Sequence, residues 1–219
     1  MAISAHSRLY RGTWSEQRCA ERRLQLMDAA IEIYGAVGYR KTPVKAICER
    51  ANLTERYFYE SFQNSEALLI ATYRHVTDAM LEDMTAAART VQTERARLDA
   101  LLRVYFTYIR EKPLAARVFL LELAGISPAV DTVRSDVLRS MNQLIAGRKG
   151  GRLNGSAKKL SLQEAGVIGA ILSISIRWLS HDCSQALADV VSIAMSHCAV
   201  GSSQPLSAAT KSIAKRPKS

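Results

Sequence analysis

The sequence predicts an all-α chain. An N-terminal three-helix unit containing a helix-turn-helix is joined to a larger C-terminal helical domain. Three observations carry this. Apolar residues recur with a helical period across residues 15–200, whereas period-two alternation of Val and Ile is missing and no Asn-Gly hairpin turn separates alternating runs. Two short amphipathic segments near the N-terminus sit behind a longer helix and are joined by a tight turn. Residues 161–180 are apolar on more than one face, as a helix buried on several sides must be. With 219 residues, 48% of them apolar and 23% charged, the chain can build one large domain or two small ones sharing a core.

The first helix is expected over residues 15–37. Leu24, Met27, Ile31 and Tyr34 mark its buried stripe, and Gly38 ends it. The second starts after Thr42 as N-cap, with Pro43 at the first helical position, where its missing N–H costs nothing. Val44, Ile47, Cys48 and Ala51 form its inner face. Asn52 and Leu53 make the turn, because asparagine tolerates a left-handed backbone. Thr54 caps a third helix over 55–62. Further helices are expected at 64–89, 94–111, 113–123 and 128–148. A glycine-rich basic loop occupies 149–159, and the last helices are 161–180 and 184–199. The domain divisions that follow are a flexible arm at 1–14, the helix-turn-helix domain at 15–63, the ligand-binding and dimerisation domain at 64–200, and a disordered basic tail at 201–219.

Composition removes several function classes. Ser173, Ser175 and Arg177 interrupt the longest apolar run, so no membrane partner is expected. No apolar leader with a cleavage site opens the chain, which points to the cytoplasm. Cys19, Cys48, Cys183 and Cys198 are widely spread without zinc-ligand spacing, so no metal and no cofactor is expected. His6, His75, His181 and His197 are scattered, and no nucleophile–base pair or paired carboxylate is visible, which argues against an enzyme. The glycines at 150, 151 and 155 lack the rest of a phosphate-binding loop.

The net charge of +10 favours a polyanionic partner. The excess is unevenly placed. Residues 1–62 hold 10 Lys/Arg against 7 Asp/Glu, residues 148–159 hold five basic residues and no acid, and residues 201–219 hold four and none. A mildly basic helix-turn-helix argues for sequence readout rather than indiscriminate binding.

On a helical wheel of residues 55–62, Phe58 and Phe62 face the core with Leu53, and Arg56 and Glu60 lie opposite. Tyr57 and Tyr59 flank them. Arg56 can donate to guanine O6 and N7, and Glu60 can accept from cytosine N4. Arg56 and Glu60 also have the i, i+4 spacing of a solvated surface ion pair, and that reading stands beside the first.

Residues 22–72, RRLQLMDAAIEIYGAVGYRKTPVKAICERANLTERYFYESFQNSEALL and the residues just after it, resemble the DNA-binding domain of the tetracycline-repressor (TetR) family. The landmarks are AAIEIYGAVGY on the first helix, T-x-V-x-x-I-x-x-x-A on the second, Tyr59 and Phe62 on the third, and Glu66, Leu68 and Leu69 opening the fourth. The rest of the chain resembles the family in length, helical layout and the Arg177-Trp178-Leu179 ending of a late helix. The resemblance implies a dimeric repressor that grips a near-palindromic double-stranded operator and is released by a small-molecule effector. It implies that Thr42 and Lys45 approach phosphates, that Thr54, Glu55, Arg56, Tyr57, Tyr59 and Glu60 face the groove, and that Ser65 opens the fourth helix beside a phosphate. Three positions depart from the pattern. Asn52 replaces a turn glycine, Ser61 replaces an aromatic or histidine, and Ser65 replaces a phosphate-binding lysine. Free N–H groups at that helix start can still hold a phosphate, and Arg8 and Arg11 of the arm can add charge.

The homodimer is expected through helices 161–180 and 184–199, packed as four helices about a two-fold axis. Arg103, Tyr105, Phe106, Tyr108, Phe119, Glu122 and Met141 are the candidate lining of an apolar effector pocket with a few polar anchors. The competing function is a constitutive, architectural DNA-binding protein without effector, which would bind with little sequence preference and steep salt dependence.

Overall fold

The computed structural model describes residues 5–147 and 160–202, with side chains over 17–147 and 160–198. The basic loop at 148–159 and most of the tail lie outside the described residues. Within them the chain is helix and turn only. The order is α1 (Ala5–Val37), a single 3₁₀ turn (Tyr39–Lys41), α2 (Val44–Arg50), α3 (Glu55–Ser61), α4 (Ser65–Arg89), α5 (Glu94–Glu111), α6 (Pro113–Leu121), α7 (Pro128–Ile145), α8 (Leu162–Ser180) and α9 (Leu187–Ser202).

Helix α1 starts ten residues before the expected boundary, so Arg8 and Arg11 lie on helical backbone rather than on a flexible arm. Its buried face is also turned. Leu26, Met27, Ala30 and Tyr34 are buried, while Leu24 is 45% exposed and Ile31 half-buried. The cause is that α1 packs against α2, α3 and α4 and also against α6, so its inner arc differs from the stripe that one neighbour would require. Gly35 sits where α1 and α6 cross. A Cβ there would lie 2.5 Å from the Leu114 carbonyl oxygen, so only glycine permits this approach. Gly38 then ends α1 at φ 91°, its N–H on the Tyr34 carbonyl at 2.9 Å.

The start of α2 differs from expectation. Pro43, with extended backbone, holds the N-cap position. The Thr42 hydroxyl instead donates back to the Gly38 carbonyl at 2.7 Å, which braces the 3₁₀ turn. Asn52 adopts φ 53° in the turn before α3. Thr54 holds the N-cap of α3 with its carbonyl, which accepts from Tyr57 and Phe58, but its side chain makes no capping bond. Asn64 caps α4 through Ala67 N–H at 2.8 Å, and Ser161 with Glu164 forms a reciprocal capping box on α8.

One apolar core runs from the helix-turn-helix into the larger domain. Ile47, Cys48, Phe58, Phe62, Leu68 and Leu69 lie beneath the N-terminal helices, and α4 carries the core onward through Tyr73, Val76, Met80 and Met84. Helix α5 packs on α4, α9, α6 and α8. Arg97 of α5 donates to the carbonyls of Leu144 and Ile145 and so ties off the C-terminus of α7. Helix α8 reaches the length and mean hydropathy (1.2) of a membrane-crossing helix, despite the interruptions seen in the sequence. It packs on α9, α5, α6 and α7, with Ile168, Ile171, Ser175 and Trp178 buried. Of the four cysteines, Cys48 and Cys198 are buried and Cys19 and Cys183 half-buried. Burial pushes the thiols of Cys48, Cys183 and Cys198 above their ordinary value.

Candidate nucleic-acid interface

Helix α3 is seven residues long, and its apolar residues decide how it lies. Phe58 is fully buried and Phe62 nearly so, with ring centroids 6.0 Å apart. This fixes the opposite face outward. Arg56 is 85% exposed at its side chain, and Glu60 is 40% exposed. Tyr59 is 58% exposed and meets the Phe58 ring edge-on at 5.1 Å. Thr54 and Glu55 are exposed at the start of the same helix.

The outer face of α3 is ordered by polar contacts. Arg56 Nε donates to Glu60 Oε1 at 3.0 Å. Arg22, reaching over from α1, places Nη2 3.9 Å from Glu60 Oε2 and lies 4.3 Å over the Tyr57 ring. Its neighbour Arg23 donates to the Ser61 carbonyl at 2.7 Å and lies 4.1 Å over the Phe62 ring. A cation on the last carbonyls of α3 suits the negative end of that helix. Arg22 and Arg23 were not among the expected site residues. Their adjacency just before the apolar stripe of α1 was visible, but nothing in the sequence set the angle at which α1 crosses α3.

The expected phosphate contacts lie on α2, on the turn before it and at the start of α4. Thr42 is half-buried and Lys45 exposed, with Lys45 Nζ 3.8 Å from Glu49. Ser65, at the first turn of α4, has its hydroxyl 3.3 Å from the Tyr39 hydroxyl. The Tyr39 ring stands edge-on to Tyr34 at 5.4 Å. The larger domain grips this segment directly. Glu122 Oε2 accepts from Tyr39 N–H at 2.7 Å, Arg40 donates to the Gly125 carbonyl at 2.6 Å, and the Ser127 hydroxyl donates to Glu66 at 2.9 Å.

The seven candidate effector residues separate into three places. Tyr105, Phe106, Phe119 and Met141 are buried in the core. Phe119 stacks on Tyr73 at 6.0 Å and meets Tyr105 edge-on at 6.3 Å, and Phe106 meets Trp178 edge-on at 5.7 Å. Tyr105 hydroxyl donates to Ser175 Oγ at 2.9 Å, because the Ser175 proton goes to the Ile171 carbonyl at 2.7 Å. Arg103 and Tyr108 line a shallow outer groove. There Arg103 bonds Asp99 at 2.6 Å, and Lys112 lies 4.9 Å over the Tyr108 ring. Glu122 lies apart from both, with one carboxylate oxygen accepting from Tyr39 N–H. The unpartnered polar atoms of this region of α4 are different ones. The hydroxyls of Thr72 and Tyr73 are buried without a hydrogen-bond partner among the described residues. A separate cavity of about 760 Å³ opens between α5, α7, α8 and α9, beside Arg95, Leu98, Asn142, Ile145, Ser192 and Met195. Among the described residues no His, Cys, Asp or Glu group is placed to hold a metal ion.

Residues 26–72 match the family described as bacterial regulatory proteins, tetR family. Over 85 residues, or 39% of this chain, the sequence is 34% identical to the HTH-type transcriptional regulator BetI of Rhizobium meliloti, covering 42% of that protein. Over 89 residues it is 30% identical to the HTH-type transcriptional activator FasR of Mycolicibacterium smegmatis, covering 41% of this chain and 41% of that protein. The chain thus spans about two fifths of the length of these relatives. The fold is similar to FadR from Bacillus subtilis, described in complex with stearoyl-CoA, with a TM-score of 0.65 at 20% identity over 81% of this chain and 96% of the other. It is also similar to a tetR-family regulatory protein from Rhodococcus, with a TM-score of 0.63 at 24% identity over 82% and 94%.

Proposed function

We propose, for a chain whose residues 26–72 belong to the tetR family of bacterial regulatory proteins, that it is a cytoplasmic, dimeric, sequence-specific DNA-binding transcription regulator. The single observation that carries this is the outer face of α3. Phe58 and Phe62 lock the helix down, while Arg56, Tyr59 and Glu60 project from a support that α1 braces. A short helix held this way can enter a major groove and present a guanidinium fork to a base edge. Thr42, Lys45 and Ser65 flank it as phosphate contacts, and Thr54, Glu55 and Tyr57 complete the groove face.

A second copy is the natural cover for α8 and α9. Leu162 is 94% exposed, and Ile176 and Ile193 remain substantially exposed on helices that are otherwise apolar. A two-fold pair brings two α3 helices to one face of DNA, which calls for half-sites about one helical turn apart. Selection of bound sequences from random DNA tests the reading, and a near-palindromic site is expected. Recovery of no enriched palindrome would sink it in favour of an architectural protein with steep salt dependence.

Release by a small-molecule effector completes the proposal and makes the regulator a repressor. The buried, unpartnered hydroxyl of Tyr73, whose ring stacks on Phe119, supplies what an apolar pocket needs for orienting a ligand. Acyl-CoA thioesters head a thermal-shift screen, because the similar FadR fold is described with stearoyl-CoA. A compound that raises the melting temperature and weakens operator binding is the expected result. Stabilisation without any change in operator affinity would remove the effector part alone.

A further inference from the structure

We infer that Arg22 of α1 is a specificity-positioning residue, fixing Glu60 so that Glu60 holds Arg56 in the attitude that reads a base. The inference rests on the DNA-binding reading above and extends it to a residue outside the recognition helix. Its first support is geometric. Glu60 is engaged from both sides, by Arg56 Nε at 3.0 Å on one oxygen and by Arg22 Nη2 at 3.9 Å on the other. An arginine held through Nε keeps its Nη1–Nη2 edge for a second partner. Among the described residues the hydrogen bond of the Arg56 side chain runs through Nε, which leaves the Nη groups for a further partner. That edge is the fork that matches guanine O6 and N7.

The second support is electrostatic. A lone carboxylate facing DNA is repelled by phosphates, and a single Arg56–Glu60 pair only cancels it. With Arg22 included the cluster carries one net positive charge, so the Glu60 carboxylate can act as a strut beside the groove. The third support lies in what Arg22 gives up. Its side chain is three-quarters buried, and its Nε is buried with no hydrogen-bond partner. An unpaired buried donor opposes folding, so an apolar side chain of similar length would fill the space against Tyr57 better. The arginine is explained by its charge toward Glu60, not by packing.

The experiment compares parent, Arg22→Met, Glu60→Gln, Arg56→Ala and the R22M/E60Q double variant by selection of bound sequences, with urea unfolding as the check on folding. Arg22→Met keeps the packing on Tyr57 and removes only the charge, so it is expected to unfold at the parental midpoint or above it. In the parent, one guanine per half-site depends on Arg56. In Arg22→Met the preference for that guanine falls on the order of ten-fold, while preferences elsewhere in the site are kept. The double variant loses no more at that position than the worse single one, because both act on one network. Full retention of the guanine preference in Arg22→Met overturns the inference. So does a loss spread evenly over all positions, which would make Arg22 a plain charge contact. A parent that enriches no palindrome overturns the DNA-binding reading itself, and this inference with it.

Discussion

At the scale of single residues, the helix-turn-helix depends on a few backbone and charge choices. Asn52 at φ 53° sits in a conformation that costs a branched residue about 1–2 kcal/mol. Asn52→Val is therefore expected to lower stability by about that amount, and Asn52→Gly to leave it nearly unchanged, as read by urea denaturation. Ser65 stands where the resemblance to the tetracycline-repressor family implies a phosphate-binding lysine. Ser65→Lys should tighten operator binding several-fold at low salt and steepen the log–log salt slope by about one unit, measured by fluorescence anisotropy across a salt series. An unchanged slope would place the DNA backbone away from the start of α4. Tyr73 carries a buried phenol with no partner, and burial pushes its pKa above the ordinary range, so it remains neutral. Tyr73→Phe removes that unmet donor and should raise stability by about 1 kcal/mol while weakening the response to an effector. The outward-facing set of α3 was legible in the sequence because Phe58 and Phe62, one turn apart, fix the wheel. Arg22 was not, because a contact between helices that cross at an unspecified angle leaves no mark in either one.

At the scale of elements, local chemistry set most boundaries. Thr93 caps α5 at its expected start, and Pro113 and Pro128 open α6 and α7 where a missing N–H is harmless. The misplaced features are those decided by neighbours. Thr42 lies one residue outside α2, because Pro43 holds the N-cap, and its hydroxyl donates to the Gly38 carbonyl instead. Leu24 faced solvent because α6 competes for the arc of α1. Glu122 meets Tyr39 across 83 residues, a contact that spacing does not encode, whereas Arg103 pairs with Asp99 one turn away on the same helix. Two predictions belong here. Gly35→Ala puts a methyl into the Leu114 backbone and should cost about 1–3 kcal/mol by overpacking, as a drop in urea midpoint. Arg97 bonds Glu94 as well as the α7 carbonyls, and that hydrogen bond holds the Glu94 carboxyl below its usual range. The stabilisation it brings is present above the ordinary carboxylate pKa and fades as pH falls through the lowered one. Arg97→Ala should therefore flatten the acid side of the stability–pH curve, which a set of melts across pH values will display.

For the whole molecule, the all-helical layout was the most legible property, since a helical period over nearly the full chain leaves no room for a sheet. The division into two functional parts is less sharp in space than along the sequence, because one core spans both. Assembly gives the prediction proper to this scale. Ile176→Asp together with Ile193→Asp charges the apolar face of α8 and α9, and should yield a folded monomer by light scattering. Operator affinity should fall by on the order of 100-fold as the second half-site is lost. A dimer that survives both changes would move the two-fold axis elsewhere. The seam between Glu122 and Tyr39 has a consequence in the opposite direction from effector release. Free-energy coupling between two sites is reciprocal. Any DNA that favours one placement of Tyr39 must equally favour the matching placement of α6. Operator fragments, which touch none of α6, should therefore slow amide exchange along Pro113–Leu121, and in Glu122→Ala that distant protection should vanish while exchange in α3 still slows on DNA.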